Sequence, residues 1–211
     1  MALSPGGLSE HDFARATRLL ARRDPVLARV IRKHRTGTPL ERSAMDPFPA
    51  LVRTITAQQI STKAAATIHG RLVALMPGGV DPEALLALTD DQLRQAGLSR
   101  QKMAYVRDLS AKAASGALLL HTLHELSDEE VIEAIVQVKG LGRWSAEMFL
   151  MFRLRRPDVL PVDDLGIVTA IQRLYGLRTR PKPDRIRKIG EAWRPYRTVA
   201  CWFLWRSLDN Q

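Results

Sequence analysis

The chain has 211 residues, enough for one sizeable domain or two small lobes sharing a core. Its 32 Lys and Arg stand against 22 Asp and Glu, and the net charge of +10 points either to a polyanionic partner or simply to a basic, soluble surface. A single cysteine, Cys201, excludes an internal disulfide and any cysteine-ligated zinc or iron–sulfur cluster. The opening MALSPGGLSEHDF lacks the pattern of a signal peptide, and no stretch approaches membrane-spanning length, so a cytosolic protein without a membrane partner is expected.

Ser9 to Arg23 reads as a helix capped by Ser9, with Phe13, Ala16, Leu19 and Leu20 on its apolar stripe. Asp24-Pro25 restarts a second helix. Its Arg29, Arg32, Lys33, His34 and Arg35 read as a solvated face, with phosphate contact the alternative. Residues 36–47 read as a Gly- and Pro-rich loop. From Phe48 to Met76 the pattern is helical with a break at Gln58-Gln59-Ile60-Ser61-Thr62, because adjacent glutamines followed by Ser-Thr make a poor helix interior and a good loop or cap. Gly78 to Asp81 is a turn, and two short helices follow, with Asp81-Pro82 and Thr89-Asp90-Asp91 in their first turns. Gly97 ends the second. Ser99 to Ala114 reads as another helix, on which Lys102 and Arg107 are either phosphate contacts or ordinary surface charge.

Ser127-Asp128-Glu129-Glu130 opens a helix with a capping box. It feeds Lys139-Gly140-Leu141-Gly142-Arg143-Trp144, after which a second helical pattern runs from Arg143 to Leu154. Two glycines around one apolar residue permit a tight hairpin and leave backbone N–H groups bare at the head of the next helix, a site suited to a phosphate. Pro161-Val162-Asp163-Asp164 then makes a rigid approach ending in two carboxylates where a new helix begins, with Leu165, Val168, Ile171 and Leu174 on one face. Taken by themselves, the two aspartates read as helix caps. Residues 179–184 form a basic, proline-rich loop, and a last helix from Tyr196 to Leu208 carries Trp202, Phe203 and Trp205, which read as core. Alternating strand patterns are absent, so the expected fold class is all-α. A phosphate grip followed by a placed carboxylate points to an enzyme that holds a nucleic-acid backbone and does chemistry nearby.

The run VKGLGRWSA followed by LPVDDLGI resembles the helix-hairpin-helix DNA glycosylases, most closely their alkyladenine (3-methyladenine DNA glycosylase II) branch, and the resemblance extends from about Phe48 to Trp205. It implies two helical lobes with a DNA-binding cleft, residues 1–46 with 157–211 in one and residues 47–156 in the other. The implied activity is base flipping and excision of alkylated bases, of the 3-methyladenine and 7-methylguanine type, from double-stranded DNA. Hydrolysis of the N-glycosidic bond would leave an abasic site for base excision repair. Asp164, directly before Leu-Gly, matches the family's catalytic aspartate, with Asp163 the fallback that caps or orients its neighbour. Relatives that also cut the backbone carry a lysine where this chain has Trp144, which implies a monofunctional enzyme without lyase activity.

Trp144, Met148 and Trp205, with Asp163, match the pocket that walls the flipped base. Lys139, Gly140, Gly142 and Arg143 match the phosphate grip, and ITAQQISTKAA resembles the loop that wedges a side chain into the duplex, with Gln59 in the wedge position and Gln58 beside it. The backbone carbonyls of Val136, Val138 and Leu141 occupy the places of a structural Na+ or K+ site; no cofactor is required, and the iron–sulfur cluster of some relatives cannot form. The resemblance further implies a compact, monomeric, cytoplasmic protein, nucleoid-associated if bacterial, without the β-rich N-terminal domain of longer relatives. The alternative is a non-catalytic helix-hairpin-helix module that binds damaged or branched DNA, with Asp164 reduced to a cap.

Overall fold

The computed structural model describes residues 7–34 and 46–209. The expected Gly- and Pro-rich loop lies outside the described residues except for its last two positions, and Arg35 of the basic cluster also lies outside them. Among the described residues the regular structure is helical throughout, and no strand occurs.

Short-range capping starts most of the helices. Ser9 and Asp12 form a capping box at the head of α1 (Glu10–Arg23), and Asp24 accepts the N–H groups of Val26 and Leu27 to start α2 (Pro25–Lys33). Helix α3 (Pro47–Ala57) stops at Gln58, and Ser61 caps α4 (Thr62–Ala74), so the polar break is a loop. Asp81, Thr89 and Ser99 cap α5 (Pro82–Ala87), α6 (Asp90–Ala96) and α7 (Arg100–Ala114). The Ser127–Glu130 capping box starts α8 (Asp128–Val136), and α9 (Arg143–Met148) follows the hairpin. The expected uniform helix from Arg143 to Leu154 is instead α-helical only to Met148 and winds as a π-helix over Phe149–Arg153. A π turn slips the register by a single residue, which hydrophobic periodicity does not reveal. Helices α10 (Leu165–Leu174), α11 (Pro183–Gly190) and α12 (Arg197–Arg206) complete the chain, with a 3-10 turn at Glu191–Trp193.

By contacts the chain divides into two compact units, residues 1–43 with 150–211 and residues 44–149. In the first, α12 packs on α1, α2 and α10 around Leu20, Leu27, Ile171, Trp193, Val199 and Leu204, all without solvent exposure. One buried carboxylate ties three elements together there. Asp24 Oδ1 caps α2, while Oδ2 accepts Trp193 Nε1–H at 2.8 Å and the Tyr175 hydroxyl. Burial, and then the adjacent Asp24, push the Tyr175 hydroxyl far above the usual phenol range, so it stays protonated and donating.

In the second unit α7 packs on α3, α5 and α6, and α8 packs on α9. Arg107 on α7 donates to the Leu86 and Leu88 carbonyls at 3.0 and 2.6 Å and to Asp90 at 2.9 Å. This candidate phosphate contact therefore serves the end of α5, where carbonyls lack helical donors.

Candidate active site

The hairpin between α8 and α9 is held in shape by side chains distant in sequence. Gly140 has φ +80, and a Cβ there would lie 2.1 Å from the Tyr105 ring on α7, so the ring packs directly on the bare backbone. Asp108, one turn further along α7, accepts the Lys139 N–H at 2.9 Å and the Lys112 ammonium at 2.7 Å. Burial raises the Asp108 carboxyl, but these donors outweigh it and hold it below the usual carboxylate value. Gln58 Nε2 reaches the Gly140 carbonyl at 2.8 Å, which braces the wedge loop against the hairpin. Gly140→Ala should strain the left-handed backbone by about 1–3 kcal/mol before counting the ring clash. Thermal unfolding and duplex binding measured together should both fall; unchanged values in both would show that the hairpin rearranges freely.

The hairpin's cations are less available than the sequence implies. Arg143 forks onto Glu129 at 2.7 and 2.9 Å and reaches Glu147 at 3.3 Å. A phosphate would have to displace those carboxylates, although the Glu129 partner is solvent-exposed and the exchange is correspondingly easy. Lys139 keeps its ammonium exposed, 4.0 Å from Asp108. Gly142 caps α9 without a side-chain partner, and the space where its Cβ would stand is open. Its exposed backbone is what a phosphate oxygen would meet.

Beside the hairpin lies a cavity of about 610 Å³, whose lining includes Gln58, Gln59, Lys102, Tyr105, Trp144 and Met148. It brings Gln58 and Gln59, singled out by the sequence for the wedge, beside Trp144 and Met148, singled out for the base pocket. Trp144 is 45% exposed. Gln59 is exposed in the left-handed region at φ +57, whereas Gln58 is committed to the hairpin. Lys102 donates its ammonium to the Thr56 carbonyl at 2.7 Å, and burial lowers its pKa.

In the other unit, the two candidate aspartates have distinct surroundings. Asp164 is 9% exposed and is itself the N-cap of α10, its Oδ1 accepting the Ile167 N–H at 2.8 Å. The same oxygen accepts Trp205 Nε1–H at 2.8 Å. Asp163 is exposed and does not cap the helix, which corrects the capping half of its expected role: the chain turns at Pro161 so that the second carboxylate meets the helix head.

Trp205 stacks on Phe152 with ring centroids 5.8 Å apart and planes at 26°, so the aromatic wall includes a residue that sequence reasoning missed. Phe152 sits in the π-helical turn and is 39% exposed. Gly166 was also missed: a Cβ there would lie 2.8 Å from Trp205 Cδ1 and 3.1 Å from Asp164 Oδ1. Its sequence signal was only its place after Asp164-Leu165.

A glycine hairpin braced for backbone contact, together with an indole-bound carboxylate at a helix head, defines a protein of the helix-hairpin-helix class. Residues 52–195 match the model of the HhH-GPD superfamily base excision DNA repair proteins. The chain is 33% identical over 186 residues to DNA-3-methyladenine glycosylase 1 of Schizosaccharomyces pombe, which covers 86% of this chain and 80% of that protein. Its fold is similar to that of the S. pombe 3-methyladenine DNA glycosylase solved with abasic DNA, with TM-score 0.81 and 30% identity over 92% of this chain and 96% of that one. The Bacillus halodurans DNA-3-methyladenine glycosidase is similar at TM-score 0.82 and 37% identity, over 92% and 89% of the two chains. The chain belongs to the HhH-GPD superfamily, in its 3-methyladenine DNA glycosylase branch.

Proposed function

We propose that this protein is a monofunctional DNA glycosylase that binds duplex DNA, flips out alkylated purines such as 3-methyladenine and 7-methylguanine, and hydrolyses their N-glycosidic bonds. The observation that carries this reading is the Asp164–Trp205 contact: a 9%-exposed carboxylate held at a helix head by an indole N–H 2.8 Å away. As the glycosidic bond breaks, the deoxyribose becomes cation-like. A fixed anion stabilises that charge and can orient or deprotonate the attacking water. A non-catalytic DNA-binding module would have no need of an anion bound to an indole.

The indoles of Trp144 and Trp205 each offer an electron-rich face, and attraction for a cationic alkylated ring is worth about 0.5–2 kcal/mol depending on desolvation. Met148 contributes an adaptable, polarizable surface beside Trp144. Gln59 is the wedge for the duplex and Gln58 its brace, a division supported by the exposed, left-handed Gln59 and the Gln58–Gly140 bond.

The carbonyls of Val136, Val138 and Leu141 are the proposed ligands of a Na+ or K+ ion. Val136 ends α8, where carbonyls lose intrahelical donors, and the Val138 carbonyl retains a lone pair after accepting the Leu141 N–H. Among the described residues no cluster of His, Cys, Asp or Glu could hold a metal, so such an ion would rest on backbone oxygens. It would support the hairpin's shape only.

The test is incubation with duplex DNA treated with a methylating agent, followed by identification of the freed bases. Release of 3-methyladenine and 7-methylguanine is expected. Borohydride should trap no covalent adduct, since position 144 offers no amine. Tight binding without base release would turn the reading to a binding module, and a trapped adduct would make it a lyase.

A further inference from the structure

We infer that Arg178, Arg180, Lys182, Arg185 and Lys188 form a second contact for the phosphate backbone of duplex DNA, separate from the hairpin. The inference rests on reading the protein as an enzyme of duplex DNA. The unit that carries the hairpin, residues 44–149, holds 10 Lys and Arg against 12 Asp and Glu, a net charge of −2. The other unit holds 22 against 10, a net charge of +12, so it carries more than the whole surplus of the chain. Within the hairpin unit, moreover, Arg143 is paired with Glu129 and Glu147, and Lys102 and Arg107 are bound to backbone carbonyls. The long-range attraction for a polyanion must come mainly from elsewhere.

In the cationic unit, residues 178–188 carry six Lys and Arg in eleven positions, more than any other stretch of that length there. The five named cations are exposed and make no ion pair among the described residues; Arg187 alone is engaged, with Asp184 at 2.7 Å. The scaffold beneath them is packed rather than loose. Pro181 and Ile186 are buried, and a Cβ on Gly190 would lie 2.6 Å from Leu160. The charges are thus displayed on anchored backbone, which lowers the entropy cost of using them together. The run exposes no aromatic or large aliphatic side chain, so it offers neither the stacking platform of a single-strand binder nor the apolar face of a membrane-surface helix. What remains is a grip on phosphates that is indifferent to sequence and lesion, suited to capturing undamaged duplex before a lesion is found.

The experiment compares the triple variant Arg180→Ala, Arg185→Ala, Lys188→Ala with a charge-matched control on α2, Arg29→Ala, Arg32→Ala, Lys33→Ala. Fluorescence anisotropy with undamaged duplex is followed across a salt series, and single-turnover base release is measured at saturating enzyme. For the first variant the log K against log salt slope should flatten by about two to three, at about 0.9 per lost phosphate contact, and low-salt affinity should drop on the order of tenfold or more. The release rate should stay at the wild-type value, and the control should change the slope much less. An unchanged slope overturns the proposal, as does equal flattening in both variants, which would indicate net charge alone. A loss seen with duplex RNA and not with duplex DNA would assign the surface to RNA and also overturn it. If the triple variant melts at a lower temperature, Arg180→Ala and Lys188→Ala carry the test singly, each expected to flatten the slope by about 0.9. Failure of the glycosylase reading would show separately, as absent base release by the wild-type protein with the binding comparison still readable.

Discussion

Asp164→Asn should leave α10 capped and the fold intact while removing most base release. Asparagine's side-chain oxygen can still accept the Ile167 N–H and the Trp205 indole N–H, so the two 2.8 Å bonds at this position survive. What disappears is the negative charge. Loss of preorganised electrostatic stabilisation of this kind costs on the order of a hundredfold or more in rate. The deficit should be deepest for nearly neutral lesions and shallower for 7-methylguanine, whose own positive charge already weakens the glycosidic bond. Single-turnover release, paired with thermal unfolding, separates the two consequences. A fully active Asp164→Asn beside a dead Asp163→Asn would shift the catalytic role to the exposed neighbour, and activity in both variants would remove the carboxylate mechanism altogether.

The second large effect is expected from a methyl group. In Gly166→Ala the new Cβ would stand 2.8 Å from Trp205 Cδ1, 3.0 Å from its Nε1 and 3.1 Å from Asp164 Oδ1. Carbon atoms do not approach so closely, so the indole must swing away, breaking its bond to Asp164 and disturbing its stack on Phe152. The substitution otherwise favours the helix, since alanine exceeds glycine in helix propensity by about 1 kcal/mol. Stability should therefore change little while base release falls on the order of tenfold to a hundredfold, the scale attached to misplacing a catalytic group by about 1 Å. Wild-type release by Gly166→Ala would show that the position of the indole is not part of the chemistry.

Much of the architecture was legible in the amino-acid sequence, because the signals involved act over three or four residues. Ser9, Asp24, Ser61 and Ser127 cap their helices through bonds to backbone N–H groups just ahead of them. The Gly140–Gly142 spacing marks the hairpin for the same reason, and the all-helical class follows from apolar periodicity. Relations across longer separations were decided only by the tertiary structure. Two adjacent aspartates look alike in a sequence, yet one is buried against Trp205, 41 residues away, and the other faces solvent. Two adjacent glutamines divide similarly, since Gln58 finds a partner 82 residues on and Gln59 does not share it. Arg143 and Arg107 read as free cations until packing brings Glu129 to the first and the end of α5 to the second. The +10 surplus is visible by counting, but only the contacts that define the two units show that it is carried wholly outside the unit holding the hairpin. Local pattern sets which elements form, whereas burial and charge pairing depend on which distant residues those elements bring together.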